Sequence, residues 1–203
     1  MALAVKQERE AKLLVAAGGI YNAIEGVLTV AAGIVAGSIA LIGFGADSAI
    51  EVSASAVVLV HLAQRREDET SPWERRVAVY VGLTLMLLAA FVGARAIFDL
   101  VNENRPDESY LGIGIAVVSL VLMPLLSMRK HRLAHEINSR ALEAESRETL
   151  VCSYLSVALL LGLGANALLG WWWADPVAAL VMVTVIAKEG WEAFTRKELC
   201  GCD

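Results

Sequence analysis

Long apolar runs, separated by short polar segments, are the feature of this sequence that most limits how it can fold. A helix that crosses a bilayer needs roughly 20 mostly apolar residues, and the chain of 203 residues supplies that length repeatedly. Hydrophobic residues make up 57% of it, and the charged 19% gather between the apolar runs. The runs are continuous, whereas the strands of a membrane barrel alternate in polarity, so helices are the expected spanning elements. We therefore predict an all-α polytopic membrane protein.

Six transmembrane helices can be placed along the chain. We expect them at about residues 13–36, 38–62, 77–101, 110–128, 140–169 and 174–194. The prediction is a single transmembrane domain over residues 1–203, with no separate soluble domain. The first dozen residues are polar and lack the apolar stretch of a cleaved signal peptide. The three cysteines, one inside a span and two at the tail, argue against a disulfide framework.

The positions of lysine and arginine predict how the spans are oriented. If the N-terminus is inside, the outer loops hold only Arg105, and the inner segments hold Lys6, Arg9, Lys12, Arg65, Arg66, Arg75, Arg76, Arg129, Lys130, Arg132, Arg140, Arg196 and Lys197. Cytoplasmic loops carry an excess of basic residues, so we expect both termini in the cytoplasm and the protein in the cell (inner) membrane. The basic residues are few and dispersed, which excludes a nucleic-acid partner.

Two pairs of polar residues within the predicted spans share a spacing of four. Asp47 and Glu51 lie on the second span, and Glu148 and Cys152 lie on the fifth. Residues four apart stand on one face of a helix, about 6 Å apart along its axis. A charged side chain at mid-membrane costs roughly 2.5–3.5 kcal/mol on insertion scales. Since two carboxylates this close also repel each other, the first pair indicates a bound cation or a shared proton.

The two pairs fall at similar depth if the second and fifth helices pack against each other. In that antiparallel arrangement, Asp47 is expected level with Cys152, and Glu51 level with Glu148. We therefore predict that these four residues form a metal site. Oxygen and sulfur ligands together favour Zn²⁺, Cd²⁺ or Co²⁺, and Mn²⁺ or Fe²⁺ stay open if Cys152 is not a ligand. Protonated acids that hydrogen-bond to neighbouring helices are the simpler interpretation, and it also stays open.

Other ionisable residues lie within the predicted spans. Arg95 and Asp99, again four apart, are expected to pair with each other or with Glu25 in a structural network. Asn22 with Glu25 could form a cation path, a proton site or a helix contact. Near the end of the sixth span, the sequence adds Lys188 and Glu189.

Two further groups offer metal-binding chemistry outside the spans. His131 and His135 share a face of the basic inner segment 129–140, where solvation is the default and an accessory metal site is the alternative. The tail Cys200-Gly201-Cys202 carries two thiols that could capture a soft metal ion. A C-x-C pattern is a weak signal, so the role of the tail stays open.

Three segments resemble the cation diffusion facilitator family of divalent-metal transporters. The second span, from Ser38-Ile39-Ala40-Leu41 through Asp47-Ser48-Ala49-Ile50-Glu51, is similar to the family pattern S-x-A-L-x-A-D-x-x-[HD]-S-x-x-D. The fifth span, residues 144–152, is similar to A-D-x-x-[HD]-S-x-x-D. The segment Gly170-Trp171-Trp172-Trp173-Ala174-Asp175-Pro176 is similar to the G-W-x-x-A-D-P entry into the sixth helix, and it is the most specific part of a resemblance that covers essentially the whole chain.

This resemblance implies a secondary transporter, not an enzyme. It implies that a divalent metal ion leaves the cytoplasm in exchange for protons, through ligands at Asp47, Glu51, Glu148 and Cys152, with no cofactor besides the transported ion. The family usually has Asp at the position of Glu51, and His or Asp followed by Asp at the positions of Glu148 and Cys152. Typical members continue into a cytoplasmic domain that helps them dimerise, whereas this chain is expected to be a short form without that domain. A second copy of the chain as partner therefore stays open. The alternative function is a metal-binding membrane scaffold or sensor without transport.

Overall fold

The computed structural model describes residues 2–64 and 72–196, and within these ranges it contains six α-helices and no strand. The helices are α1 (Ala2–Ala36), α2 (Ile39–Gln64), α3 (Pro72–Val101), α4 (Tyr110–Ile137), α5 (Arg140–Leu169) and α6 (Ala174–Arg196). The predicted all-α class is confirmed. The tail thiols of Cys200 and Cys202 lie outside the described residues.

Helix bounds agree with the predicted spans except where a helix extends past its apolar part. The largest differences are at the start of α1 and at the end of α4, which was expected to stop near Met128. Instead, α4 runs on to Ile137, where Asn138 adopts a left-handed conformation with φ of 51° and closes the helix. Ser139 then caps α5 by accepting a hydrogen bond from the Leu142 N–H. The segment expected to be a polar connection is therefore mostly helical.

Five helices, α1 to α5, contain stretches long and apolar enough to cross a membrane. Helix α6 has Asp175 near its start and Lys188, Glu189 and Glu192 near its end. The uncharged stretch 176–187 between them is shorter than the roughly 20 apolar residues that a full span needs. The protein is thus a multi-pass membrane protein, and α6 is the one helix of the described ranges without such a stretch.

The helices pack as three close pairs, α1 with α2, α3 with α6, and α4 with α5, and α2 also contacts α3, α5 and α6. Glycine allows the α3–α6 approach: a Cβ on Gly82 would lie 2.6 Å from the Phe194 nitrogen and 2.8 Å from the Gly190 oxygen. Large apolar side chains such as Val27, Leu87 and Val121 are exposed on α1, α3 and α4. These faces are suited to contact lipid, and α2 lies inside the bundle.

Asp175 ties the start of α6 to the start of α2. Its carboxylate accepts hydrogen bonds from the Ser38 hydroxyl and from the backbone N–H groups of Ile39 and Ala40, at 2.5, 3.1 and 3.5 Å. Ser38 also accepts from the Leu41 N–H. A carboxylate at a helix N-terminus satisfies orphan donors and interacts favourably with the helix dipole. The A-D-P and S-x-A-L segments of the sequence therefore meet as a structural contact that sets where α2 begins.

Candidate metal site

A cavity of about 270 Å³ lies between α2, α3, α5 and α6. Three of the four predicted metal ligands line it: Asp47 and Glu51 from α2, and Glu148 from α5. Asp47 is almost fully buried, whereas the exposed side chain of Lys188 marks the other end of the lining. The cavity thus leads from the bundle interior to the end where α6 finishes and α3 and α5 begin.

Spacing along the helices helps to bring these carboxylates together. With α2 and α5 antiparallel, Glu51, one turn further along α2 than Asp47, is the acid expected level with Glu148 of α5. The two helices pack directly against each other. Asp47 and Glu148 are both electrostatic neighbours of Glu51. Within the ranges whose side chains are described, no salt bridge holds any of the three, so a cation in the cavity would offset their mutual repulsion.

Cys152 occupies a different position from the three carboxylates. It is 1% exposed, belongs to the apolar core and does not line the cavity. Glu51, Glu25 and Asp47 are the electrostatic neighbours of its thiol. Cys152 is therefore close to the predicted ligands but stands in the apolar core beside the cavity.

Asn22 of α1 hydrogen-bonds to one of the carboxylates of the site. Its amide Nδ2 donates a hydrogen bond of 2.8 Å to Glu51 Oε2. Asn22 is 6% exposed, and its Oδ1 has no hydrogen-bond partner among the described residues. A neutral donor holds the Glu51 carboxylate in place without neutralising it, which leaves that charge for a cation. The sequence indicated Asn22 only as one of several path residues.

Helix α6 contributes residues that the sequence did not assign to the site. Glu189 and Glu192 line the same cavity, and so does Arg147 of α5. Glu189 interacts electrostatically with Asp47 and Glu148. The available signal was an acid near the end of an apolar segment, but nothing in the local spacing shows that α6 packs beside α2 and α5.

Glu25 lies in a polar network between α1, α2 and α4, outside the cavity lining. Its carboxylate accepts hydrogen bonds from the hydroxyls of Tyr21, Ser48 and Ser119. Tyr21 and Ser119 also contact each other at 2.7 Å. Hydroxyl donors surround this acid on three helices, so it joins those helices through hydrogen bonds.

Two buried acids have basic partners. Arg95 and Asp99 form a bidentate pair, with nitrogen–oxygen distances of 3.1 and 3.2 Å, so the pairing between these two is the one found, not a pairing with Glu25. Lys130, expected to be one of the basic residues of an inner loop, is 2% exposed and lies 3.0 Å from Glu145. These pairs neutralise charge inside the bundle.

The family of the chain follows from a comparison with known families. The model of the cation efflux transmembrane domain matches residues 15–196, which include all six helices except the first turns of α1. The chain belongs to the cation efflux family. Membrane location, transport and a metal-ion substrate fit this family, and its members are transporters.

Several curated relatives align with the chain, over shares that range from about half of it to nearly all of it. A manganese efflux system protein, MneS of Bacillus subtilis, is 27% identical over 196 residues, covering 93% of this chain and 66% of that protein. An uncharacterized transporter of Methanocaldococcus jannaschii is 25% identical over 176 residues, covering 83% and 62%. The cation-efflux pump FieF of Shewanella oneidensis is 30% identical over 93 residues, covering 46% and 31%. The chain spans about a third to two thirds of the length of these relatives.

Proposed function

We propose that this protein is a secondary transporter that moves a divalent transition-metal cation out of the cytoplasm through the cavity between α2, α3, α5 and α6. One observation carries the proposal: Asp47, Glu51 and Glu148 converge on a single cavity inside a membrane bundle. Ionisable groups in such positions usually mark ion pathways. The proposed ligands are these three carboxylates, with the neighbouring Cys152 thiol as a fourth candidate.

The proposed orientation makes this cavity face the cytoplasm. With both termini inside, as the basic residues predict, the end of α6 and the starts of α3 and α5 lie at the inner surface. Lys188 and Glu192 then stand at the mouth, and Asp47 is the deepest ligand. In this arrangement an ion enters from the cytoplasm, and its release outward requires the helices to close the mouth and open a path beyond Asp47.

Proton exchange follows from the chemistry of the ligands. Carboxylates and a thiol bind metal in their deprotonated forms, so binding releases protons and reprotonation favours release of the metal. A proton gradient directed into the cytoplasm would therefore drive the cation outward.

The identity of the ion depends on Cys152. If the thiol moves into the site, a mixed oxygen and sulfur set favours Zn²⁺, Cd²⁺ or Co²⁺. If the thiol stays in the core, the lining offers carboxylate oxygens, which suit Mn²⁺. Two facts favour this second candidate: Cys152 does not line the cavity, and a curated relative is a manganese efflux protein.

The test is metal flux in proteoliposomes that carry a pH gradient, with Zn²⁺, Cd²⁺, Co²⁺, Mn²⁺ and Fe²⁺ compared one at a time. Wild-type protein should move at least one of these ions, and flux should depend on the gradient. Asp47→Ala should lower flux by at least about 100-fold, because it removes a ligand, and changes to groups that only orient metal ligands already cost about 10–100-fold. Undiminished flux in this variant would rule out the proposed site.

Cys152→Ser separates the two candidate ions. Loss of Cd²⁺ flux with retention of Mn²⁺ flux would place the thiol among the ligands, and unchanged flux of both would assign the site to oxygen ligands alone. Metal binding without any flux would favour the scaffold or sensor.

A further inference from the structure

A second cluster of metal-ligating side chains lies at the junction of α4 and α5, apart from the cavity. His131 and His135 stand on the last two turns of α4, and Glu143 stands on the first turn of α5. One ligand atom from each residue lies within 4.8 Å of the other two. Both histidines are exposed, so an ion from solution can reach them.

The spacing of the two imidazoles fits a zinc-type site. Their Nε2 atoms are 3.2 Å apart, and the rings are nearly perpendicular at 87°. In a tetrahedral zinc site with Zn–N bonds of 2.0–2.1 Å, two ligand nitrogens are roughly 3.4 Å apart. Histidines at i and i+4 on a helix are a recurrent zinc-binding arrangement. The two nitrogens therefore need almost no movement to bind one ion.

Ser146 lies beside His131 and can set the tautomer that metal binding needs. Its hydroxyl donates to the backbone oxygen of Glu143, which leaves its lone pairs as acceptors. His131 Nδ1 lies 3.5 Å from this oxygen, and the tautomer that donates to it leaves a lone pair on Nε2 for a metal ion. Ligating histidines characteristically donate their other N–H to a polar group that sets the ring orientation.

Glu143 is held in turn by Arg147. The guanidinium donates to Glu143 Oε1 at 2.8 Å, one turn along α5. A carboxylate has about four lone-pair sites. Glu143 can therefore accept a hydrogen bond from Arg147 and bind a metal ion at the same time. Hydrogen-bonded carboxylates are the usual form of such ligands.

From this geometry we propose that His131, His135 and Glu143 form a surface binding site for a divalent transition metal of the zinc type, with water as the fourth ligand. Nitrogen and carboxylate ligands suit Zn²⁺ and its neighbours and exclude Mg²⁺ and Ca²⁺ as preferred ions. The short Asn138-Ser139 connection holds the two helices in place, so the three ligands are presented by rigid elements.

This site binds metal whether or not the cavity transports it. Arg147 contacts Glu143 and also lines the cavity, so an ion held here would lie beside the cavity mouth. A role in collecting ions for transport rests on the proposed function; the binding itself does not.

The test is a titration of the purified full-length chain in detergent with Zn²⁺ alone, by calorimetry, and with Co²⁺ alone, by visible absorption. Cys200 and Cys202 are changed to Ser in every sample to remove the tail thiols as competing ligands. In an Asp47→Ala/Glu148→Gln background, which disables the cavity, we expect one Zn²⁺ per chain and the absorption bands of tetrahedral Co²⁺. Adding His131→Ala and His135→Ala should abolish both signals, and Glu143→Gln should weaken binding at least about 10-fold.

Matched controls use His61→Ala, which removes the remaining histidine of the chain on α2, and Glu136→Gln, which neutralises an exposed acid next to the cluster. Neither should change the stoichiometry. Equal Zn²⁺ binding with and without His131 and His135 would overturn the proposal. Loss of transport in Asp47→Ala leaves this result unaffected, so failure of the surface site and failure of the cavity can be told apart.

Discussion

Two glutamates on α5, three residues apart, have opposite surroundings. Glu145 is 3% exposed and pairs with Lys130 at 3.0 Å, and it accepts a further hydrogen bond of 2.8 Å from the Ser55 hydroxyl. Glu148 is half-buried and faces the cavity shared with Asp47 and Glu51. The two side chains stand about 60° apart around the helix. Glu145 faces Lys130 of α4 and Ser55 of α2, whereas Glu148 faces the cavity that α5 shares with α2, α3 and α6.

The comparison distinguishes two kinds of acid. Some have fixed partners within the bundle, and others face the cavity, where a cation could bind. Asp99 has Arg95, and Asp175 has hydroxyl and backbone donors, as fixed partners. Asp47 faces a cavity lined by other carboxylates. A buried acid with a built-in partner is expected to matter for stability, whereas an acid that faces this cavity is expected to matter for ion binding.

The largest expected effect on stability is at Lys130. Lys130→Met leaves the buried Glu145 without its cation and should lower the free energy of unfolding by about 3–5 kcal/mol. Thermal unfolding in detergent measures this loss. The double variant Lys130→Met/Glu145→Leu should recover most of it, because apolar replacement of a buried pair is often neutral or stabilising.

The exposed Lys188 is the control for that substitution. Lys188→Met should change stability by no more than about 0.5 kcal/mol. If Lys130→Met is as mild as Lys188→Met, the Lys130–Glu145 pair does not hold the bundle, and the division between the two kinds of acid fails.

A smaller effect is expected where a neutral residue hydrogen-bonds to one of the carboxylates of the cavity. Asn22→Ala removes the donor to Glu51 and should raise the metal concentration for half-maximal flux by about 10-fold, in line with changes to groups that orient metal ligands. Asn166 provides a matched control, since it is also buried but donates to the Pro106 oxygen at 3.0 Å. An equal shift in Asn166→Ala would mean that the effect of Asn22 is not specific to the site.

The smallest effect concerns the contact between α2 and α6. Ser38→Ala removes the cap on the Leu41 N–H and one donor to Asp175, so stability should fall by about 1–2 kcal/mol. The ratio of fluxes for different metals should stay the same, because Ser38 does not line the cavity. A changed ratio would show that this contact also shapes the ion site.

Much of the fold could be predicted from the sequence because apolar length is a local property. The range 140–169 predicted for the fifth span is that of α5, which Ser139 and Gly170 cap at its two ends. The end of α4 could not be predicted in this way. The long apolar run stops near Met128, but the helix continues with Leu133 and Ala134 buried among apolar residues of α1, α2 and α5, and with Lys130 paired to Glu145.

Only part of the candidate site could be predicted from the sequence, because local spacing describes one helix at a time. Spacing of four identifies Asp47 with Glu51 as a pair on one helix face, since both lie on a single element. Similar predicted depths in the membrane suggest that Glu148 of α5 lies beside this pair. That Cys152 turns into the core and that Glu189 enters from α6 depends on packing between helices, which no local pattern encodes.

The central claim is tested most directly by measuring metal flux for Glu148→Gln and Glu145→Gln side by side, each normalised to folded protein in the same proteoliposomes. The substitution is identical, the helix is the same, and only the surroundings differ. We predict that Glu148→Gln loses flux by at least about 100-fold while keeping near wild-type stability, and that Glu145→Gln loses stability but retains flux per folded molecule. Retained flux in Glu148→Gln, or equal loss in both, would contradict the assignment of the cavity as the path of the ion.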